Sequence, residues 1–236
     1  MLRVRDNTDS YYVKMKDLPD LPMRMLIVGK SFLSGKSTVI LNLLLREEYY
    51  RGLFKGENVY IVSNNEMDQK MRILRDTLEI PPENFISFTE QGVEDIYEQV
   101  EEDCIAAIDA GEKPVQSIII LDDVAFSGSL KKKVDGIVSR IACNGRHICL
   151  SMICTAQKYT QLSTVLRVNC TSAVLFANTQ KESELMSEDF NYMPDKRDFM
   201  KMYRTATKER NAFLAVDFTS DDIYRDSQFR PIVMDS

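Results

Sequence analysis

No stretch of this chain reaches the roughly 18 consecutive apolar residues that a membrane-spanning helix needs, so no membrane span is expected. The first residues, Met1-Leu2-Arg3-Val4-Arg5-Asp6, also lack the apolar run of a secretory signal. The five cysteines (Cys104, Cys143, Cys149, Cys154 and Cys170) contain no C-x-x-C pair, and His147 is the single histidine that could join them around zinc. Reduced, buried thiols in a reducing, cytosol-like compartment are the expectation. The chain has no excess of basic residues, its formal net charge being -6, which argues against a uniformly basic nucleic-acid binder but leaves room for a local basic patch. Internal repeats and low-complexity segments are absent as well.

What is present is a globular composition. Apolar residues make up 44% and charged residues 28% of 236 positions, enough for one large α/β domain and short for two. Residues 1–22 are polar and end in Leu18-Pro19-Asp20-Leu21-Pro22, which reads as an N-terminal arm because proline disfavours both helix interiors and central strands. The spacing of apolar residues predicts strands at 25–28, 59–63, 85–89, 117–121, 148–153, 173–176 and 212–216. Helices are predicted at 37–50, 67–78, 93–110, 130–143, 181–189 and 196–206, with Gly111 and Gly145 placed to end two of them. This alternation implies a three-layer α/β fold with a mostly parallel central sheet, its domain spanning 23–218 and followed by a tail at 219–236.

Between the first strand and its helix lies Gly29-Lys30-Ser31-Phe32-Leu33-Ser34-Gly35-Lys36-Ser37-Thr38, which has the character of a Walker A loop. In such a loop, backbone N–H groups and a helix N-terminus cradle phosphates, the lysine reaches the β- and γ-phosphates, and the next hydroxyl binds Mg²⁺. Lys36 and Ser37 take those parts, while Gly29, Lys30, Ser31, Ser34, Gly35 and Thr38 complete the candidate nucleotide cradle. Five residues separate the two glycines where the usual pattern has four. Either the extra residue bulges near Phe32-Leu33, or Lys30 stands in the first glycine's place.

A second motif, Ser117-Ile118-Ile119-Ile120-Leu121-Asp122-Asp123, is a buried-strand run ending in two carboxylates, the pattern of a Walker B strand. Asp122 is the candidate Mg²⁺ residue and Asp123 the candidate general base that polarises the attacking water. The strand after Walker B runs into Cys154-Thr155-Ala156-Gln157, so this order suits the additional-strand (RecA-like) division of P-loop NTPases, with Gln157 as the γ-phosphate sensor.

Four blocks resemble one family, the poxvirus-type genome packaging ATPases of the FtsK–HerA superfamily. They are Pro22-Met23-Arg24-Met25 leading into the Walker A loop; Leu121-Asp122-Asp123-Val124; Asn144-Gly145-Arg146-His147 with Ser151 and Gln157; and Arg167-Val168-Asn169-Cys170-Thr171. The resemblance implies a homo-oligomeric ring that uses ATP and Mg²⁺ to drive double-stranded DNA into a preformed capsid, with capsid or portal-vertex proteins as partners. It also implies residence in the host cytoplasm or virus factory, or association with the virion. In such rings an arginine from the neighbouring subunit completes the site, and Arg146 and Arg167 are the two candidates. Lys131-Lys132-Lys133 and the set Lys196, Arg197, Lys201, Arg204, Lys208 and Arg210 are candidate DNA-contacting groups, each equally readable as a solvated surface. Two other readings stay open on sequence grounds, a P-loop nucleoside or nucleotide kinase and a nucleotide-binding assembly protein without turnover.

Overall fold

A computed structural model of the chain describes residues 11–31, 34–65, 68–124 and 136–233. The strands are β1 Arg24–Val28, β2 Val59–Ser63, β3 Phe85–Ile86, β4 Ser117–Asp122, β5 Leu150–Ala156, β6 Ser172–Phe176, β7 Phe213–Asp217 and β8 Tyr224–Arg225. The helices are α1 Lys36–Leu45, α2 Gln69–Leu78, α3 Glu90–Asp109, α4 Ile137–Asn144, α5 Thr164–Asn169, α6 Gln180–Phe190 and α7 Lys196–Ala206.

All eight strands join one sheet in the order β3-β2-β4-β5-β1-β6-β7-β8. Pairing is parallel from β3 through β6, and antiparallel where β7 and β8 are added. The expected additional strand is therefore in place, since β5 lies between β1 and β4 and pairs with both.

Alternation along each strand divides the core in two, as the pleat requires. Met25 and Ile27 of β1 face a cluster with Val39, Ile40 and Leu43 of α1 and Met71 and Leu74 of α2. Leu26 and Val28 face the other cluster, with Val93 and Val100 of α3, Ile141 of α4, Phe190 of α6 and Phe199 of α7. Helices on both faces make the three layers. Both flanks also pack on the sheet. Leu18 and Leu21 are buried in the α1–α2 core, Val13 bridges Leu21, and Phe229 inserts between Tyr49 and Phe213 at ring-centroid distances of 5.3 and 5.5 Å.

Of the helix expected over 130–143 only residues from 136 on are described, and it begins at Ile137; the helix expected over 93–110 begins at Glu90, and three further elements differ in extent for local reasons. The helix expected over 37–50 stops at Leu45, where continuing would set Glu47 and Glu48 against the negative end of the helix; Arg46 is instead extended. The strand expected over 85–89 keeps only Phe85 and Ile86, because the Thr89 hydroxyl caps α3 by accepting from the Gly92 N–H at 2.9 Å. The strand expected from 148 begins at Leu150, since Gly145–Ile148 forms a 3₁₀ turn and Cys149 adopts a left-handed φ of 57°. Helix α5 and strand β8 carry too few residues to show a period and were not expected. Among the described residues no helix is long and apolar enough to cross a membrane. The cysteines are free, and all but Cys143 are buried.

Candidate nucleotide site

In a parallel α/β sheet the loops leaving the C-terminal ends of the strands form the ligand-facing edge. Here Gly29 leaves β1, Asp122 ends β4 with Asp123 immediately after it, and Gln157 follows β5. Residues scattered over more than 120 positions of sequence thus meet at one edge.

The loop after β1 is held close to the sheet. The Gly29 N–H donates to the Ala156 carbonyl at 3.0 Å, and a Cβ at Gly29 would lie 2.7 Å from both Phe176 Cβ and Ser34 Cβ. Glycine is required here by close approach, which favours Gly29 itself as the first glycine of the loop, with the extra residue beyond it. This is the reading with a bulge near Phe32-Leu33, residues that lie outside those described, rather than the one with Lys30 in the first glycine's place. Lys30 and Ser31 are exposed, and the Ser34 hydroxyl donates to the Lys30 carbonyl at 2.5 Å. Helix α1 starts from Gly35 with no side-chain cap, so its first N–H groups point into the loop without a protein acceptor from a capping side chain.

Lys36 is buried and bends back into the loop, donating from Nζ to the Gly29 carbonyl at 2.8 Å and the Ser34 hydroxyl at 3.4 Å. Burial pulls its pKa below the ordinary lysine value, while Asp123 and Asp122 act in the opposite direction. The ammonium is thus poorly compensated inside the chain. Polyanionic phosphate would supply the missing charge.

The two Walker B carboxylates stand in different surroundings. Asp122 is buried, and its Oδ1 accepts from the Thr155 hydroxyl at 2.9 Å. Burial raises its pKa, with the Thr155 hydrogen bond working against that rise. Asp123 turns away with a left-handed φ of 54°. Its N–H donates to the same Thr155 oxygen at 2.9 Å, and its carboxylate accepts from Gln157 Nε2 at 3.0 and 3.3 Å. Thr155 therefore fixes both acids, a role that the motif reading missed; a hydroxyl two positions before the sensor residue is the only sequence signal for it. Lys70 was missed too. Its Nζ donates to Thr38 Oγ1 at 2.7 Å, bringing the start of α2 to the start of α1, and nothing in its local sequence announces this.

The arginine candidates stand elsewhere. Arg146 immediately precedes β5 and so belongs to the opposite, N-terminal edge, whereas Arg167 lies in α5 on the way to β6. The seven residues of β5 put Arg146 about 20 Å from the Gln157 end. Arg146 is exposed, and its Nε lies 3.3 Å from His147 Nε2. Arg167 is engaged within the chain, donating to Asp189 at 3.1 Å and lying 5.1 Å over the Tyr159 ring. The 22–25 and 167–171 blocks meet at this edge: Arg24 Nε donates to the Asn169 carbonyl at 2.9 Å, and the Arg24 N–H to Thr171 Oγ1 at 2.9 Å. Lys131-Lys132-Lys133 lie outside the described residues. In α7, Lys196 pairs with Glu188 and Arg197 with Asp195, whereas Lys201 and Arg204 line a cleft of about 570 Å³ with Glu184.

The sequence matches the family described as Poxvirus A32 protein over residues 11–233. The chain belongs to the poxvirus A32 family. No curated protein matches it at a significant level. Solved structures with a similar fold include the genome packaging NTPase B204 from Sulfolobus turreted icosahedral virus 2. Its sulfate complex has a TM-score of 0.61 at 13% identity, covering 93% of this chain and 99% of that one. Its AMPPCP complex gives 0.55 at 15% identity, over 90% and 99%. B204 described as the DNA-packaging ATPase from Sulfolobus turreted icosahedral virus gives 0.56 at 15% identity, over 90% and 99%. At these identities the likeness is one of fold, and it spans essentially the whole A32-family domain.

Asp122 is a buried carboxylate supported by one hydroxyl, from Thr155, and at longer range by Lys36, so its charge is expected to weaken the nucleotide-free chain. Asp122→Asn keeps an acceptor for Thr155 and removes the charge, so it is expected to raise Tm without nucleotide by about 2–4 °C, equivalent to about 1 kcal/mol. Thermal denaturation measures this, and a lower Tm would show that Lys36 already compensates the charge.

Proposed function

We propose that this A32-family chain is an ATP-hydrolysing motor that translocates double-stranded viral DNA into a preformed capsid. The observation that carries the proposal is the convergence of Lys36, Asp122, Asp123 and Gln157 on one sheet edge, beside an uncapped helix N-terminus. Such an arrangement can hold a triphosphate and a water molecule in line, and phosphoryl transfer needs little beyond positioning and charge stabilisation. That B204, which has a similar fold, is known in complex with AMPPCP and with ATP-gammaS supports a nucleotide as the ligand of this fold.

Lys36 exchanges its contacts with the Gly29 carbonyl and Ser34 for the β- and γ-phosphates. Asp123 accepts the proton of the attacking water, with Gln157 holding the carboxylate and reporting the γ-phosphate. Mg²⁺ fits the donors present: Asp122 has Oδ1 taken by Thr155, leaving Oδ2, and Ser37 begins α1 beside the cradle. Among the described residues no three His, Cys, Asp or Glu side chains come together. The ion would rest on Asp122, Ser37, phosphate oxygens and water, as Mg²⁺ commonly does. When bound, it neutralises charge on the phosphates.

Arg146 acts on the neighbour. Its distance from the nucleotide edge of its own subunit argues against a part in cis, and among the described residues it has no carboxylate partner, whereas Arg167 is committed to Asp189. A homo-oligomeric ring in which this edge meets the next subunit's Walker edge supplies the geometry. Residues 23–218 form the motor domain in this reading, flanked by the arm at 1–22 and the tail at 219–236. Capsid or portal-vertex proteins are its partners in the host cytoplasm or virus factory.

ATP hydrolysis by the purified chain is expected to rise several-fold on addition of duplex DNA and to fall with increasing salt as phosphate contacts are screened. Steady-state phosphate release with and without DNA measures both. Transfer of phosphate to a nucleoside, with no response to DNA, would replace the motor by a kinase.

A further inference from the structure

Next to the phosphate cradle lies an open cleft of about 360 Å³ that no motif accounts for. Gly35 and Thr38 form its end nearest the Walker A loop. Asn42 continues the wall one turn along α1, and Asn211 and Gln228 face it from the turns before β7 and after β8. Glu209 and Arg210 stand in the same lining. We propose that this cleft receives the nucleoside half of the bound nucleotide, with the carboxamides of Asn42, Asn211 and Gln228 reading a purine base. The proposal rests on the assignment of the phosphates to the Walker A loop.

Four observations support it. The cleft lies on the β6–β7 side of α1, away from the Walker B strand, so a nucleotide whose γ-phosphate approaches Asp123 has its nucleoside end free to extend this way. The charge distribution fixes the same polarity. Lys36 and the uncapped helix start attract phosphate at one end, whereas at the other Glu209 and Arg210 offset each other and leave no net charge, which suits a neutral group.

The three carboxamides, moreover, make no hydrogen bond to any described residue. A carboxamide offers a donor and an acceptor side by side, the pattern that a purine edge complements. Finally, the turns carrying Asn211 and Gln228 are rigidly held. Phe229 is buried at a left-handed φ of 58° against Tyr49 and Phe213, and the Asp226 carboxylate accepts from the Gln228 and Arg230 N–H groups at 2.8 and 3.0 Å. Asn211 has a φ of 63°, a conformation that asparagine tolerates better than most residues. The cleft volume lies within the range of small-molecule sites.

Isothermal titration of the full chain with two probes separates the halves of the ligand: inorganic tripolyphosphate, which has no base, and a methylene-bridged ATP analogue. The native chain is expected to bind the analogue at least about 10-fold more tightly than tripolyphosphate. Asn42→Trp, which fills the cleft from α1, should remove that advantage and leave tripolyphosphate affinity unchanged, the unchanged affinity also showing that the fold survives. Asn211→Gly combined with Gln228→Ala, which keeps the left-handed turn accessible, should lower analogue affinity about 10-fold with the same tripolyphosphate control. Unaltered preference for the analogue in both variants would overturn the cleft assignment while leaving the phosphate site intact. A tripolyphosphate affinity that is the same in Lys36→Ala as in the native chain would instead overturn the phosphate site, and the cleft assignment with it.

Discussion

Asp123→Asn is expected to bind ATP yet turn it over about 10²- to 10⁴-fold more slowly than the native chain, the range that a positioned general base contributes. The backbone at Asp123 holds a left-handed φ that asparagine also accepts, and its N–H bond to Thr155 involves no side-chain atom, so the substitution leaves the turn in place. What it removes is one carboxylate oxygen able to take a proton from water. The new amide also faces the Gln157 Nε2 group donor to donor, which frees Gln157 from one of its two contacts. Nucleotide binding by titration and turnover by phosphate release, measured on the same preparation, give the answer. Retained turnover would remove Asp123 from the chemistry and return attention to Asp122, whose Thr155 bond and burial suit a metal-binding or structural part.

Arg146→Ala should likewise spare ATP binding and lower turnover by about 10³-fold or more, as loss of a trans-acting arginine does elsewhere. Arg146 stands before β5, and the nucleotide edge lies after it, so no side-chain rotation within one subunit spans the sheet. Mixing Arg146→Ala with Asp123→Asn therefore has a distinctive expected result: some activity returns, because a fraction of interfaces pair an intact Asp123 with a neighbour's intact Arg146. Arg167→Ala is expected to act differently. Removing its bond to Asp189 and its stacking on Tyr159 lowers stability, and the loss appears in Tm before it appears in turnover at low temperature. No recovery in mixed rings, with subunit exchange demonstrated, would exclude Arg146 as a trans-acting group.

The strand-loop-helix run around Lys36 and the apolar run ending in Asp122 and Asp123 were legible because each motif is contiguous. A buried parallel strand needs an unbroken apolar stretch, and a phosphate loop needs glycine where the backbone approaches its neighbours, so fold type and Walker residues can be read from spacing alone. The order of motifs along the chain likewise anticipated an additional strand between β1 and β4. Element ends were less legible, since Thr89 could serve as a strand residue or as a helix cap, and only packing of α3 against the sheet decides between them. The same limit applies to long-range polar contacts. That Thr155 ties together both Walker acids, that Lys70 reaches Thr38, and that Asn42 shares a cleft with Asn211 and Gln228 all depend on strand register and on which turns meet at one edge. Sequence by itself determined the P-loop fold type and the order of its motifs, because local backbone geometry demands those residue types in that order. Only the tertiary structure decided that Arg167 pairs with Asp189 while Arg146 stands exposed beside His147, and which side chains line the cleft beside α1, because those are properties of surfaces built from segments that the chain order leaves far apart.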